Sequence, residues 1–110
     1  MKVLVVEDDD ALREALLELL HGWGYALAAA ADGPAALAIT AREPIDLLLL
    51  DVEMPDISGL DLLKILRQSY SPAQLPIIMV TNRATSEDAV KALATGANDY
   101  VSKPIDFPVV

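Results

Sequence analysis

Four consecutive leucines, Leu47 to Leu50, run into Asp51 between Pro44 and the turn-forming stretch Met54-Pro55-Asp56-Ile57-Ser58-Gly59. With Ile45, the run is too apolar to alternate between a wet and a dry face, so it reads as a strand buried on both faces. Asp51 stands where that strand leaves the core. In an open parallel sheet, the crevice beyond the carboxyl ends of the strands is where ligands and chemistry collect. What the other strand ends bring to that edge then decides the chemistry.

Two more runs share this character. Lys2 to Val6 is apolar and β-branched without alternation, and Leu75-Pro76-Ile77-Ile78-Met79-Val80, with proline tolerated near its start, leads into Thr81. Weaker strands are expected at Tyr25 to Ala31, whose alanines alone favour a helix but which lies between Gly24 and the Asp32-Gly33 turn, and at Asn98 to Ser102, which delivers Lys103-Pro104. Helical spacing recurs between the strands. Leu12, Ala15, Leu16, Leu19, Leu20 and Trp23 predict a helix from Asp9 or Asp10 with one buried stripe, Trp23 belonging to the core, stopped by Gly22 and Gly24. Pro34 opens a second helix that runs to Arg42 and is closed by Glu43-Pro44. Leu60, Leu62, Leu63, Ile65 and Leu66 mark a third. Thr85-Ser86-Glu87-Asp88 supply a cap and acids for a fourth, with Val90, Leu93 and Ala94 facing inward and Gly96 as its stop.

Strands alternating with helices through loops of ordinary length imply right-handed crossovers, hence an α/β doubly wound parallel sheet covered on both faces. A fifth helix should follow Lys103-Pro104, yet the sequence stops at Val110. The expectation is one domain over residues 1–110 with that helix truncated or absent, forming the N-terminal part of a longer protein.

Composition narrows the function. The 110 residues are 54% hydrophobic, enough for one core, and 17 acidic against 8 basic residues give a net charge of −9. That charge disfavours direct contact with nucleic acid or an anionic membrane. Cysteine is absent and His21 is the single histidine, so thiolate chemistry and multi-histidine metal sites within one chain are excluded. His21 reads as a surface or helix-end residue. No apolar run approaches the roughly 18 residues of a spanning helix, and the expected location is cytoplasmic.

Glu7 and Asp8 leave the first strand, Asp51 the third, Thr81 the fourth and Lys103 the fifth. Carboxylates crowded at about 4 Å repel by roughly 4 kcal/mol at an effective dielectric near 20, so such a cluster needs a cation or raised pKa values. Oxygen ligands without His or Cys point to a hard divalent ion, most simply Mg²⁺. A carboxylate beside Mg²⁺ can attack a phosphoryl group and hold it as an aspartyl phosphate, while an ammonium neutralises the equatorial oxygens.

The acidic turn Val6-Glu7-Asp8-Asp9, the segment Asp51-Val52-Glu53-Met54-Pro55 with Gly59, Val80-Thr81, and Tyr100-Val101-Ser102-Lys103-Pro104 together make the chain resemble the receiver domain of two-component response regulators, from Met1 to about Phe107. The resemblance implies a flavodoxin-like fold with strand order 2-1-3-4-5. It implies that Asp51 is phosphorylated by a sensor histidine kinase or phosphotransfer protein. Asp8 and Asp51 then ligate Mg²⁺ directly, Glu7 acts through a bound water, and Glu53 gives its backbone carbonyl. Lys103 pairs with the phosphoryl oxygens across a cis Lys103–Pro104 bond. Thr81 and Tyr100 form a switch pair that controls an output domain or effector, and a homodimer is one assembly the family uses. Activity is limited to self-phosphoryl transfer and autodephosphorylation.

The residues after Thr81 depart from the pattern. The family usually has a small residue where this chain has Asn82, followed by Arg83, so Asn82 is expected to modulate the phosphoryl site and Arg83 to pair with Glu53. An altered phosphate lifetime is the expected consequence. Two other functions fit the same edge: a Mg²⁺-dependent phosphohydrolase working through an aspartyl phosphate, and a non-phosphorylated receiver-like binding module. The first lacks the usual acid two residues after the nucleophile, because Glu53 is expected to offer only its carbonyl.

Overall fold

The computed structural model describes residues 1–54, 56–81 and 86–102, with the backbone alone at Ser86 and Ser102. The elements are β1 (Lys2–Val6), α1 (Asp10–Gly22), β2 (Ala26–Ala30), α2 (Gly33–Arg42), β3 (Leu47–Asp51), α3 (Gly59–Ser69), β4 (Ile77–Thr81), α4 (Ser86–Thr95) and β5 (Asp99–Ser102). All neighbouring strands pair in parallel, in the order β2-β1-β3-β4-β5. This is the doubly wound, flavodoxin-like order expected. The alanine-rich segment is indeed a strand, held at the sheet edge by pairing Lys2 to Val6 with Ala26 to Ala30.

Side chains that alternate along each strand feed two cores. On one face Leu4, Val6, Leu48, Leu50, Ile77 and Met79 pack with Ala36 and Ile39 of α2, Leu62, Leu63 and Leu66 of α3, and Ala92 of α4. On the other, Val3, Val5 and Leu49 meet Leu16 and Leu20 of α1. Burying a leucine fully contributes about 1.5–3 kcal/mol. The fully buried Leu4, Leu48, Leu50, Leu62 and Leu63 therefore make the first face the stronger anchor.

Helix starts follow local chemistry. The side chains of Asp9, Asp32 and Ser58 accept from the backbone N–H of Leu12 (3.1 Å), Ala35 (2.8 Å) and Asp61 (3.1 Å), each contributing about 1 kcal/mol. Gly96, at φ 124°, ends α4 in a conformation that disfavours any residue with a Cβ. Arg67 then locks the ends together: it donates from Nε to the Gly96 carbonyl (2.7 Å), from Nη1 to the Leu75 carbonyl (2.8 Å) and from Nη2 to Asn98 Oδ1 (2.9 Å). Burial lowers the Arg67 pKa, but the guanidinium remains charged.

Three expectations are corrected. Trp23 is not core: it is 48% exposed, at the C-cap of α1, where the chain turns away after Leu20. In α4 the inward face is Ala92, fully buried, whereas Val90 is 65% and Leu93 48% exposed and Ala94 is exposed. Val90 lies about 200° around the helix from Ala92, so the two cannot face the sheet together. The larger side chains gave the wrong stripe because α4 approaches the sheet through a small residue. Similarly Ala15, Leu19 and Ile65 lie outside the buried stripes of α1 and α3. The cap at Thr85 and the fate of the fifth helix lie outside the described residues. Among the described residues no helix is long and apolar enough to cross a membrane.

Candidate functional site

β1 and β3 are adjacent and in register, Val6 opposite Leu50, so the residues that follow, Glu7 and Asp51, emerge side by side at the carboxyl edge. Both are almost wholly buried, at 2% and 3% exposure, while Asp8 is exposed. Each of the three offers a carboxylate oxygen, and these oxygens lie within 4.8 Å of one another. Among the described residues this is the one group of three acidic or histidine side chains so close together.

Backbone bonds hold the acids in place. Glu7 donates its N–H to the Ala30 carbonyl (3.0 Å), accepts on its own carbonyl from Arg13 Nη1 (2.8 Å), and accepts at Oε2 from the Asp9 N–H (3.1 Å). Asp51 Oδ1 accepts from the Glu53 N–H at 3.2 Å. Gly59 shapes the turn after Asp51: its N–H donates to the Val52 carbonyl (2.8 Å), and a Cβ there would lie 2.7 Å from the Val52 Cα and overlap the Asp51 carbonyl. Only glycine lets α3 begin this close to the end of β3.

Thr81 ends β4 at 2% exposure, one strand over from Asp51, which pairs with Val80. Tyr100 lies opposite Met79 on β5, half-buried. Thr81 and Tyr100 line one cavity of about 110 Å³ together with Val52, Glu53, Leu60 and Asp88. A wider, open cleft between α1 and β2, lined by Glu14, Leu17, Glu18, His21 and Leu27, is remote from these groups, and His21 is exposed as expected.

The structure thus brings together Glu7, Asp8 and Asp51, places Thr81 at the same edge, and sets Glu53 and Tyr100 beside it. Lys103, Pro104, Asn82 and Arg83 lie outside the described residues, so the counter-charge, the cis bond and the Arg83–Glu53 pair are not placed. Ser102, which precedes Lys103, pairs with Thr81 at this edge. Sequence reasoning missed two participants. Arg13, which ties α1 to the Glu7 carbonyl, carried only the signal of a lone cation after four acids; Asp88 read as an ordinary first-turn acid.

The donor set is all oxygen, two of the three acids are buried, and their mutual repulsion calls for a positive charge. These properties fit a hard divalent cation such as Mg²⁺.

Fold and site together define a class: a flavodoxin-like α/β domain with a cluster of carboxylate oxygens at the carboxyl edge of its sheet. The family model of the response regulator receiver domain matches residues 3–110, and the chain belongs to that family. It is 46% identical over 105 residues to the transcriptional regulatory protein CpxR of Klebsiella pneumoniae, covering 96% of this chain and 44% of that protein. The chain therefore spans less than half the length of that relative. The response regulator TrrA of Thermotoga maritima, solved in complex with Mg²⁺-BeF, matches with TM-score 0.84 and 34% identity over 96% of this chain and 89% of that one. A Burkholderia pseudomallei response regulator with a phosphorylated aspartic acid, calcium ion and citrate matches with TM-score 0.87 and 28% identity, covering 96% of this chain and 61% of the other.

Proposed function

We propose that the domain is a phosphorylation-dependent switch in which Asp51 takes a phosphoryl group from the phosphohistidine of a sensor histidine kinase or phosphotransfer protein. The observation that carries this reading is the buried Asp51 carboxylate, with the oxygens of Glu7 and Asp8 within 4.8 Å. An Asp51 oxygen attacks phosphorus, the P–N bond breaks, and the imidazole leaves with the electron pair. Asp8 and Asp51 would hold Mg²⁺ directly, with Glu7 through water and the Glu53 carbonyl beside them. When bound, the ion supplies charge neutralisation for the phosphoryl oxygens.

This chain's own groups do the rest. Burial excludes bulk water from Asp51, and the Glu53 N–H orients its carboxylate by holding Oδ1. Lys103 pairs with the phosphoryl oxygens, and the Thr81 hydroxyl moves to donate to one of them. Tyr100 turns into the space left, so a local change of charge becomes a change of surface read by an output domain or effector. Asn82 and Arg83 tune the lifetime of the phosphate. The domain catalyses its own phosphorylation and dephosphorylation and turns over no other substrate.

The test is incubation with acetyl phosphate, or beryllofluoride, plus Mg²⁺, with mass or NMR detection. One adduct on wild type, phosphoryl from acetyl phosphate or its beryllofluoride mimic, and none on Asp51→Ala is expected. An unmodified wild type, or undiminished modification of the variant, refutes the reading. Steady turnover of a small phosphate ester would instead favour a phosphohydrolase.

A further inference from the structure

We infer that Asp88 is the positioning residue for Tyr100, its carboxylate accepting the phenol O–H when Tyr100 turns into the cavity beside Thr81. This rests on the reading of Asp51 as phosphoryl acceptor and deepens it by naming what holds the switch once thrown.

Register and helix phase place the two groups. Met79 and Tyr100 are opposite one another, and Thr81 is two residues beyond Met79, so by the two-residue period of a strand all three lie on the sheet face covered by α3 and α4. The first turn of α4 follows β4 over that same edge. It carries two acids, Glu87 and Asp88, and they differ: Glu87 is exposed, whereas Asp88 is half-buried and lines the cavity with Thr81 and Tyr100.

The cavity's chemistry selects the acceptor. Its walls include Val52 and Leu60, and its volume of about 110 Å³ exceeds what a single water needs. A phenol entering such a space buries its ring favourably but leaves its O–H in need of a partner. Among the described residues, three side chains besides Tyr100 itself line the cavity with acceptor oxygens: Thr81, Glu53 and Asp88. Thr81 is drawn to the phosphate in the same event. Glu53 is exposed, so water competes for its carboxylate. Asp88 remains, and a bond to an ionised acceptor is roughly twice as strong as a neutral one.

The experiment is a double-mutant cycle on the apparent affinity for beryllofluoride in Mg²⁺, with 19F NMR of fluorotyrosine-labelled protein reporting the Tyr100 resonance, assigned by its loss in Tyr100→Phe. Asp88→Ala should weaken affinity roughly fivefold, the worth of about one hydrogen bond, and suppress the beryllofluoride-induced shift of Tyr100. Asp88→Asn, which keeps an acceptor oxygen but no charge, should retain about half of both, the neutral bond being the weaker one. In the Tyr100→Phe background Asp88→Ala should have no effect on affinity. Equal losses in Asp88→Asn and Asp88→Ala would assign Asp88 to the helix dipole and overturn the inference. So would a full Tyr100 shift in Asp88→Ala, or an undiminished effect of Asp88→Ala in the Tyr100→Phe background. A wild type that ignores beryllofluoride would bring down the phosphoacceptor reading itself, a result distinct from a wild type that responds while Asp88 proves silent.

Discussion

At the scale of single residues, the site is a division of labour between exposed and buried acids. Glu7 and Asp51 are fixed in the protein, while Asp8 reaches solvent within 4.8 Å of both. An ion that neutralises the cluster binds the folded state alone, so it must stabilise the domain by mass action. Mg²⁺ at ten times its dissociation constant should add about 1.4 kcal/mol, seen as a saturable rise in Tm. Asp8→Asn should remove most of that rise while leaving the metal-free Tm unchanged or higher, since one repelling charge is gone. A Tm indifferent to Mg²⁺ in the wild type would contradict the proposed site. These acids are legible in the sequence because they stand at or just past the ends of apolar runs that read as buried strands. Asp88 is not, because a first-turn acid looks the same whether it faces water or a cavity.

At the scale of elements, the carboxyl edge is shaped by where helices start. α3 begins against the end of β3 because Gly59 has no Cβ to strike the Val52 Cα, 2.7 Å from where it would lie, or the Asp51 carbonyl. The obstructing atoms are backbone, which cannot rotate aside. Gly59→Ala should therefore push α3 or the Asp51 turn outward, costing about 1–3 kcal/mol in denaturant unfolding. It should also slow Asp51 modification by acetyl phosphate; a variant as stable and as reactive as wild type would show that the turn adapts freely. α4 teaches the opposite lesson. Its hydrophobic residues suggested an inward face at Val90 and Leu93, yet contact runs through Ala92, and the far end of the helix is held by the Arg67 bond to the Gly96 carbonyl. Helical spacing yields several candidate stripes when small and large apolar residues mix, and only the neighbouring elements choose among them.

For the molecule as a whole, charge links acid stability to long-range contacts. Lys2, at the start of β1, pairs with Glu43, which follows α2, and its backbone N–H also donates to Asp46 Oδ2 at 2.7 Å. The hydrogen bond from Lys2 is the main reason the Glu43 carboxyl titrates below its ordinary value. A depressed folded-state pKa means that the unfolded chain binds the proton first. The contribution is therefore complete above the ordinary carboxylate range and is lost as pH falls through the lowered value. Glu43 is only partly buried and open to solvent, so the effect is small and screened by salt. Glu43→Gln should be slightly less stable than wild type at neutral pH and low salt, with the two curves converging in acid. A gap that widens on acidification would reverse the sign.

The sequence by itself determined the alternation of strands and helices, the parallel sheet, and the set of acids and hydroxyl at strand ends, because uninterrupted apolar runs and their turn residues leave the backbone few ways to satisfy its hydrogen bonds. Strand order 2-1-3-4-5 followed from resemblance rather than periodicity, and the pairing of β1 with both β2 and β3 bears it out. Only the tertiary structure decided which faces are buried, where Trp23 turns to solvent and Ala92 inward. It alone placed Asp88 in one cavity with Thr81 and Tyr100. Those outcomes depend on contacts between residues far apart in sequence, which local spacing does not encode.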